Sequence, residues 1–163
     1  MFCFIFNVKS KQNSINNQEV KDLIQKDSVK VIGISDGDTF TVLFQNKPYK
    51  IRIQGIDAPE KKMPFGKNSK IYLSDLIFNR YVNLKITKID RYQRFVANVY
   101  LKNQTNIGYL MIKKGLAWHF KKYSKDKNMD YYEQIARESK IGLWIDNNPI
   151  PPWEYRKNKT KHK

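Results

Sequence analysis

Five runs of strand texture, broken once by a helical pattern, constrain the fold of this chain more than any other feature. Val29 to Ile34, Thr39 to Phe44 and Tyr49 to Ile56 are rich in β-branched and aromatic residues, with turn formers at Asp36-Gly37 and Asn46-Lys47-Pro48 between them. That order predicts a three-stranded meander. Leu73, Leu76 and Ile77 then recur at helical spacing after Gly66, and Val82 to Ile89 and Arg94 to Leu101 alternate as strands again. Beyond Leu101, Ile107, Leu110, Met111 and Lys114 form a second helical pattern that Gly115 closes as a left-handed C′ residue. Met129, Tyr132, Ile135 and Ala136 form a third, ended by Gly142.

Five strands interrupted by one helix and followed by two more favour an α+β arrangement: a small five-stranded OB-like barrel with about three helices packed outside it. The domain is expected to run from residue 29 to 153. Residues 7 to 28 are polar and rich in Lys, Asn and Gln, with a weak helical stretch around Glu19 to Ile24, so residues 1 to 28 read as a leader. Residues 154 to 163 follow the turn-prone Pro149, Pro151 and Pro152 and end in R-K-N-K-T-K-H-K, which reads either as a solvated basic tail or as a non-specific binder of phosphate.

Lys and Arg number 31 against 15 Asp and Glu, a formal charge of +16, and such an excess favours a polyanionic partner, nucleic acid first among them. No apolar run approaches the roughly 18 to 20 residues that span a bilayer, so stable membrane insertion is not expected. A lone Cys3 and the two histidines, His119 and His162, offer no zinc-ligand spacing. The apolar opening Met1 to Phe6 is short and lacks a basic n-region and an A-x-A site. If it is the stump of a signal peptide, the protein is secreted or held at the cell envelope; otherwise it is cytoplasmic. Nothing in the sequence implies a protein partner, and a monomer is expected.

Three short clusters carry chemistry. Asp36-Gly37-Asp38-Thr39 lies where one strand turns into the next, and taken alone is explained as a turn. In Ile51-Arg52-Ile53-Gln54-Gly55-Ile56-Asp57-Ala58-Pro59-Glu60 the period of two puts Arg52 and Gln54 opposite the apolar face. Pro59 then stiffens the loop that carries Asp57 and Glu60. The third, Asp90-Arg91-Tyr92-Gln93-Arg94, joins the last two strands and by itself reads as a solvated hairpin. The joint occurrence, in this order, of D-G-D-T, R-x-x-x-x-D-x-P-E and D-R-Y-x-R, each beside a strand, resembles the staphylococcal nuclease family. The resemblance extends from about Val29 to Trp153, including Gly115-Leu116-Ala117-Trp118 and Gly142-Leu143-Trp144.

The resemblance implies that Asp38 and Asp57 are carboxylate ligands of one Ca²⁺, with the backbone carbonyl of Ala58 a further ligand; a hard cation with oxygen ligands suits such a set. It implies that Glu60 activates or positions the attacking water, and that Arg52 and Arg94 bind the phosphate through their planar forks. Arg91 and Tyr92 fall where the family contacts substrate, and Lys121, Lys122 and Tyr123 are further binding candidates. The implied activity is phosphodiester hydrolysis of DNA and RNA, single strands preferred, leaving 3′-phosphate ends. Two departures stand out. Ala58 replaces a frequent Thr, which a carbonyl ligand survives, and Gln93 replaces a usual Gly, at a strain of order 1 kcal/mol if that position is left-handed. Trp118, Trp144 and Trp153 read as packing anchors, and His119 as no general base. The rival reading is a non-catalytic OB-type nucleic-acid-binding module, which would gain nothing from three carboxylates facing phosphate.

Overall fold

The computed structural model describes residues 22–23 and 28–161. Strands β1 (Val29–Ile34), β2 (Thr39–Phe44), β3 (Lys47–Ile53), β5 (Tyr81–Ile89) and β6 (Phe95–Tyr100) close a barrel in the order β1-β2-β3-β6-β5. All neighbours run antiparallel except β3 and β6, which pair in parallel from Ile51↔Phe95 to Ile53↔Ala97. β1 closes on β5 at Val29↔Val82. The alternation seen in the sequence is what fills the barrel: Val31, Phe40, Val42, Ile51, Val82, Phe95 and Val99 are fully or almost fully buried. A separate short pair, β4 (Ile56–Asp57) with β7 (Trp118–His119), lies outside it.

The third run is therefore two strands, not one. Gly55 takes φ +79 and its Cα faces Met129 so closely that a Cβ would stand 2.8 Å from the Met129 sulfur; the chain turns there and Asp57 leaves the barrel to pair with Trp118. The β2–β3 turn also sits one residue earlier than expected, on Gln45 and Asn46, both left-handed, with Lys47 and Pro48 inside β3. Pro48 is tolerated because β6 pairs with β3 only from Ile51 onward.

Between residues 28 and 161 four helices are described: α1 (Gly66–Ile77) and α2 (Ile107–Lys113), which pack on the barrel, α3 (Lys127–Glu138), which packs on α2 and β7, and α4 (Pro152–Lys161), with a 3₁₀ turn at Gly142–Ile145. The expected three are α1 to α3. α1 turns Leu73 and Ile77 into the core, α2 adds Ile107, Met111 and Ile112, and Leu23, from the stretch read as a leader, is buried among them. The remainder of that leader lies outside the described residues. Among the described residues no helix is long and apolar enough to cross a membrane.

α2 ends in a Schellman motif: the N–H of Leu116 donates to the Met111 carbonyl and that of Gly115 to Ile112, with Gly115 at φ +64. A Cβ at Gly115 would meet the Ile141 carbonyl oxygen at 2.1 Å. Gly115→Ala is accordingly expected to destabilise the fold by about 2–4 kcal/mol, combining overpacking with left-handed strain; urea denaturation checks it, and a loss under 1 kcal/mol contradicts the packing account.

α4 is the element that the sequence reading missed. Residues expected to begin a solvated tail instead form a helix whose Trp153 stacks on Phe120 at 5.0 Å with 2° between ring planes, and meets Trp118 edge-on at 5.6 Å. Trp118, Trp144, Leu143 and Ala136 form a second small core under it, as packing anchors.

Candidate active site

One open end of the barrel carries a cavity of about 830 Å³. The β1–β2 turn, the β3–β4 segment and the β5–β6 turn converge on it, and α4 closes one side. Asp38, Arg52, Asp57, Ala58, Glu60 and Arg94 all line it, as do Arg91, Tyr92, Lys122 and Tyr123. Residues of the three sequence motifs thus meet at one cavity, where Lys122 and Tyr123 join them.

The turn between β1 and β2 approaches very closely. A Cβ at Gly37 would stand 1.8 Å from the Ser69 hydroxyl and 2.8 Å from the Ala58 Cβ. Only glycine lets this turn sit against α1 and the Asp57-Ala58 loop, where Asp38 Oδ2 accepts the Ala58 N–H at 2.6 Å and Asp38 Oδ1 accepts the Thr39 hydroxyl at 3.0 Å. Gly37→Ala should displace Asp38 from this seat; the expected reading is a fall in cleavage of about 10²-fold, the cost of an ångström-scale misplacement, with the fold retained by circular dichroism. Wild-type cleavage would show that Asp38 does not need this close approach.

Arg52 lies on the face of β3 opposite Ile51 and Ile53 and is only 14% exposed. Its Nη1 pairs with Asp38 Oδ2 at 2.5 Å and its Nη2 with Asp57 Oδ1 at 3.0 Å, so one fork ties two buried carboxylates. The Asp38 contact falls short of hydrogen-bond geometry, which leaves Nη1 buried without a directed acceptor.

On the other side, Arg94 donates through Nε and Nη2 to Asp90 Oδ2 at 2.8 and 2.7 Å. Asp90 Oδ1 accepts the N–H groups of Tyr92 and Arg94, which folds the turn. Gln93 adopts φ +59, a left-handed conformation that glycine takes most readily, and Arg94 reaches the cavity wall. Burial opposes ionisation of Asp90, but the Arg94 and Tyr92 hydrogen bonds outweigh it and hold its pKa below the usual carboxylate range. That stability is present above an unfolded pKa near 4 and is lost as pH falls through the lower folded value. Asp90→Asn should therefore cost about 1–2 kcal/mol at pH 7 and much less at pH 2 to 3. Equal losses at both pH values in denaturant titrations would contradict the ion-pair origin.

The wall beyond Arg94 is aromatic and basic. Tyr92 and Tyr123 are exposed, Arg91 and Arg94 lie 4.8 and 5.3 Å from the Tyr92 ring, and Lys88 and Lys122 lie 5.2 and 5.6 Å from the Tyr123 ring. Lys121 does not join it. Its ammonium turns to Asp130 at 2.9 Å, beside His119, whose buried ring also meets Asp130 at 2.9 Å; neither lines the cavity.

Sequence reasoning missed Asp36 and Arg156. Burial first, and then the neighbouring Asp38 charge, push the Asp36 carboxyl up to about 7. Burial also raises that of Asp57, in spite of Arg156 and Arg52. Arg156 comes from α4: its Nη2 donates to Asp57 Oδ2 at 2.6 Å and its Nη1 to Glu60 Oε1 at 2.8 Å. Burial opposes the Arg156 charge, but its contacts with Asp57 and Glu60 outweigh that and hold its pKa above the usual guanidinium value. Asp36, Asp38, Asp57 and Glu60 thus face Arg52 and Arg156, four carboxyl groups against two guanidinium groups. An under-compensated, oxygen-only set of this kind fits a hard divalent cation. Among the described residues no three acidic, histidine or cysteine side chains close on one point as a finished metal shell; the carboxylates here are turned to arginines.

Residues 50–146 match the family model described as "Staphylococcal nuclease homologue". A Haemophilus influenzae protein described as an uncharacterized endonuclease is 46% identical over 134 residues, covering 82% of this chain and 75% of its own. A Shigella flexneri micrococcal nuclease is 37% identical over 138 residues, 78% of this chain and 79% of its own. The Arabidopsis thaliana staphylococcal-like nuclease CAN1 is 37% identical over 147 residues, 87% of this chain but 45% of its own length.

Proposed function

The chain belongs to the staphylococcal nuclease family, and from that membership we propose that it is a calcium-dependent nuclease, hydrolysing phosphodiester bonds of DNA and RNA with little sequence preference. The observation that carries the reading is the convergence of Arg52, Glu60 and Arg94 on one cavity beside Asp38 and Asp57. Asp38 and Asp57, with the Ala58 carbonyl, are the residues that would hold Ca²⁺. When bound, it supplies positive charge that polarises the phosphate and aligns it.

The chain's own groups do the remaining work. Arg52 and Arg94 line the cavity from β3 and from the β5–β6 turn, and each would turn N–H donors from its carboxylate partners, Asp38 and Asp57 for the one and Asp90 for the other, to the equatorial oxygens on which charge grows as water adds to phosphorus. Glu60 is 41% exposed, open enough to meet a solvent water, and takes up or orients the proton that this water loses. The bond to the 5′-oxygen breaks, that oxygen takes a proton from solvent to leave as a hydroxyl, and the 3′-oxygen keeps the phosphate. Tyr92, Tyr123 and the lysines beside them offer ring faces to unpaired bases and charge to flanking phosphates, which favours single strands.

End analysis tests the bond assignment. After digestion of a 5′-labelled single-stranded oligonucleotide, the products should resist polymerase extension until a phosphatase has removed their 3′-phosphates. Products that extend directly would place cleavage at the other P–O bond. A binding module remains the alternative, and it leaves four carboxyls at a phosphate site without a purpose.

A further inference from the structure

We propose that Arg156 is a positioning residue for Glu60, supplied by a helix that lies beyond the matched residues 50–146. The inference rests on the reading in which Glu60 handles the attacking water. Among the described residues the Glu60 carboxylate has one ion-pair partner, Arg156, at 2.8 Å. Backbone contacts hold the Glu60 main chain through the Met63 N–H, but they leave its side chain free to rotate. The same fork is fixed on Asp57, with Nη2 on Oδ2 at 2.6 Å and Nη1 on Oδ1 at 3.3 Å; the Asp57 side chain is 1% exposed, and Arg52 donates to that Oδ1 as well. Arg156 thus transfers the rigidity of Asp57 to the half-exposed Glu60.

Sequence and packing explain how the guanidinium gets there. Pro151 and Pro152 end the preceding loop, and Pro152 opens α4 at the position where a missing N–H costs nothing. Trp153 and Arg156 stand three apart and share a helix face. Trp153 lies on Phe120 and against Trp118, and Trp118 pairs with Asp57 across β4 and β7. The aromatic contact therefore sets the helix one turn away from the carboxylates that Arg156 reaches. A lysine in its place carries the charge but lacks the planar fork that spans two acceptors.

The test is a double-mutant cycle on the full chain, with Arg156→Gln, Arg156→Lys, Glu60→Gln and the Glu60→Gln/Arg156→Gln pair. Steady-state cleavage of a single-stranded oligonucleotide is measured at saturating Ca²⁺, with calorimetric Ca²⁺ binding to each protein. The expected result is a fall in kcat of about 10- to 100-fold for Arg156→Gln with KM changed less than about threefold. Arg156→Lys should recover under half of that loss on a logarithmic scale. In the Glu60→Gln background the Arg156 change should cost less than about twofold, because a residue acting through Glu60 has nothing left to position. Ca²⁺ should bind Arg156→Gln at least as tightly as wild type, since a neighbouring cation has been removed.

Multiplicative losses in the double mutant would overturn the proposal and make Arg156 an independent contact. So would a loss carried by KM, full rescue by lysine, or Ca²⁺ affinity more than tenfold weaker. Wild-type turnover by Arg156→Gln alongside an impaired Glu60→Gln overturns the Arg156 role alone, whereas wild-type turnover by Glu60→Gln overturns the mechanism and this role with it.

Discussion

Glu60→Gln is expected to reduce cleavage by about 10²- to 10⁴-fold, the range that a positioned acid–base group contributes, while nucleic-acid binding stays within a few-fold of wild type. The substitution keeps the shape of the side chain and an oxygen for Arg156 Nη1, and Glu60 is not part of the core, so the fold should be unaffected. What is lost is basicity at a cavity carboxylate whose side chain is 41% exposed. Binding is measured by fluorescence anisotropy with a labelled single strand in EGTA, and cleavage with the same strand in Ca²⁺. A variant that cleaves normally removes Glu60 from the reaction; one that neither cleaves nor binds assigns it to substrate or metal retention.

Arg52 substitutions should behave differently, because this side chain is structural and chemical at once. Arg52→Gln withdraws the fork that ties Asp38 to Asp57; among the described residues it takes from Asp38 its ion-pair partner, with Asp36 beside it, and leaves Asp57 to Arg156. Breaking such a pair from one side costs about 3 kcal/mol, and loss of an oriented donor to the phosphate costs about 10²- to 10³-fold in kcat. Both effects should appear together in Arg52→Gln, and saturating Ca²⁺ should restore part of the stability but little of the rate. Arg52→Lys keeps the charge and should recover stability more than rate. Unchanged unfolding of Arg52→Gln without metal would show that the two aspartates do not depend on this guanidinium.

These contrasts depend on geometry that was only partly legible in the sequence. β1 and β2 fall on the residues where β-branched and aromatic texture placed them, and the left-handed Gly115 closes α2, because each is governed by local pattern. In the run Tyr49 to Ile56 the local sign of a break was Gly55, and the strand texture around it outweighed that sign; the close approach of Met129 to Gly55 decides it, a contact between residues far apart in sequence. The cavity's arginines and carboxylates could be named because the spacing in three short motifs places them beside strand ends. Asp36 was passed over as half of a turn. Arg156 was hidden by its neighbourhood: a run of lysines suggests a solvated tail, and composition averages away the Pro152, Trp153, Arg156 pattern that anchors a helix and aims one charge inward. Lys121 was misplaced for the converse reason, since nothing in its spacing showed Asp130 on α3 to be nearer than the cavity.

Cleavage of single-stranded DNA by the purified protein, with Ca²⁺ and with excess EGTA, and alongside an Arg52→Gln/Glu60→Gln double variant, tests the central claim most directly. Cleavage that needs Ca²⁺ and vanishes in the double variant is the predicted result, and it excludes a contaminating nuclease. Binding without cleavage, across a range of pH and with other divalent ions supplied, would contradict the account and leave a basic barrel that holds nucleic acid without cutting it.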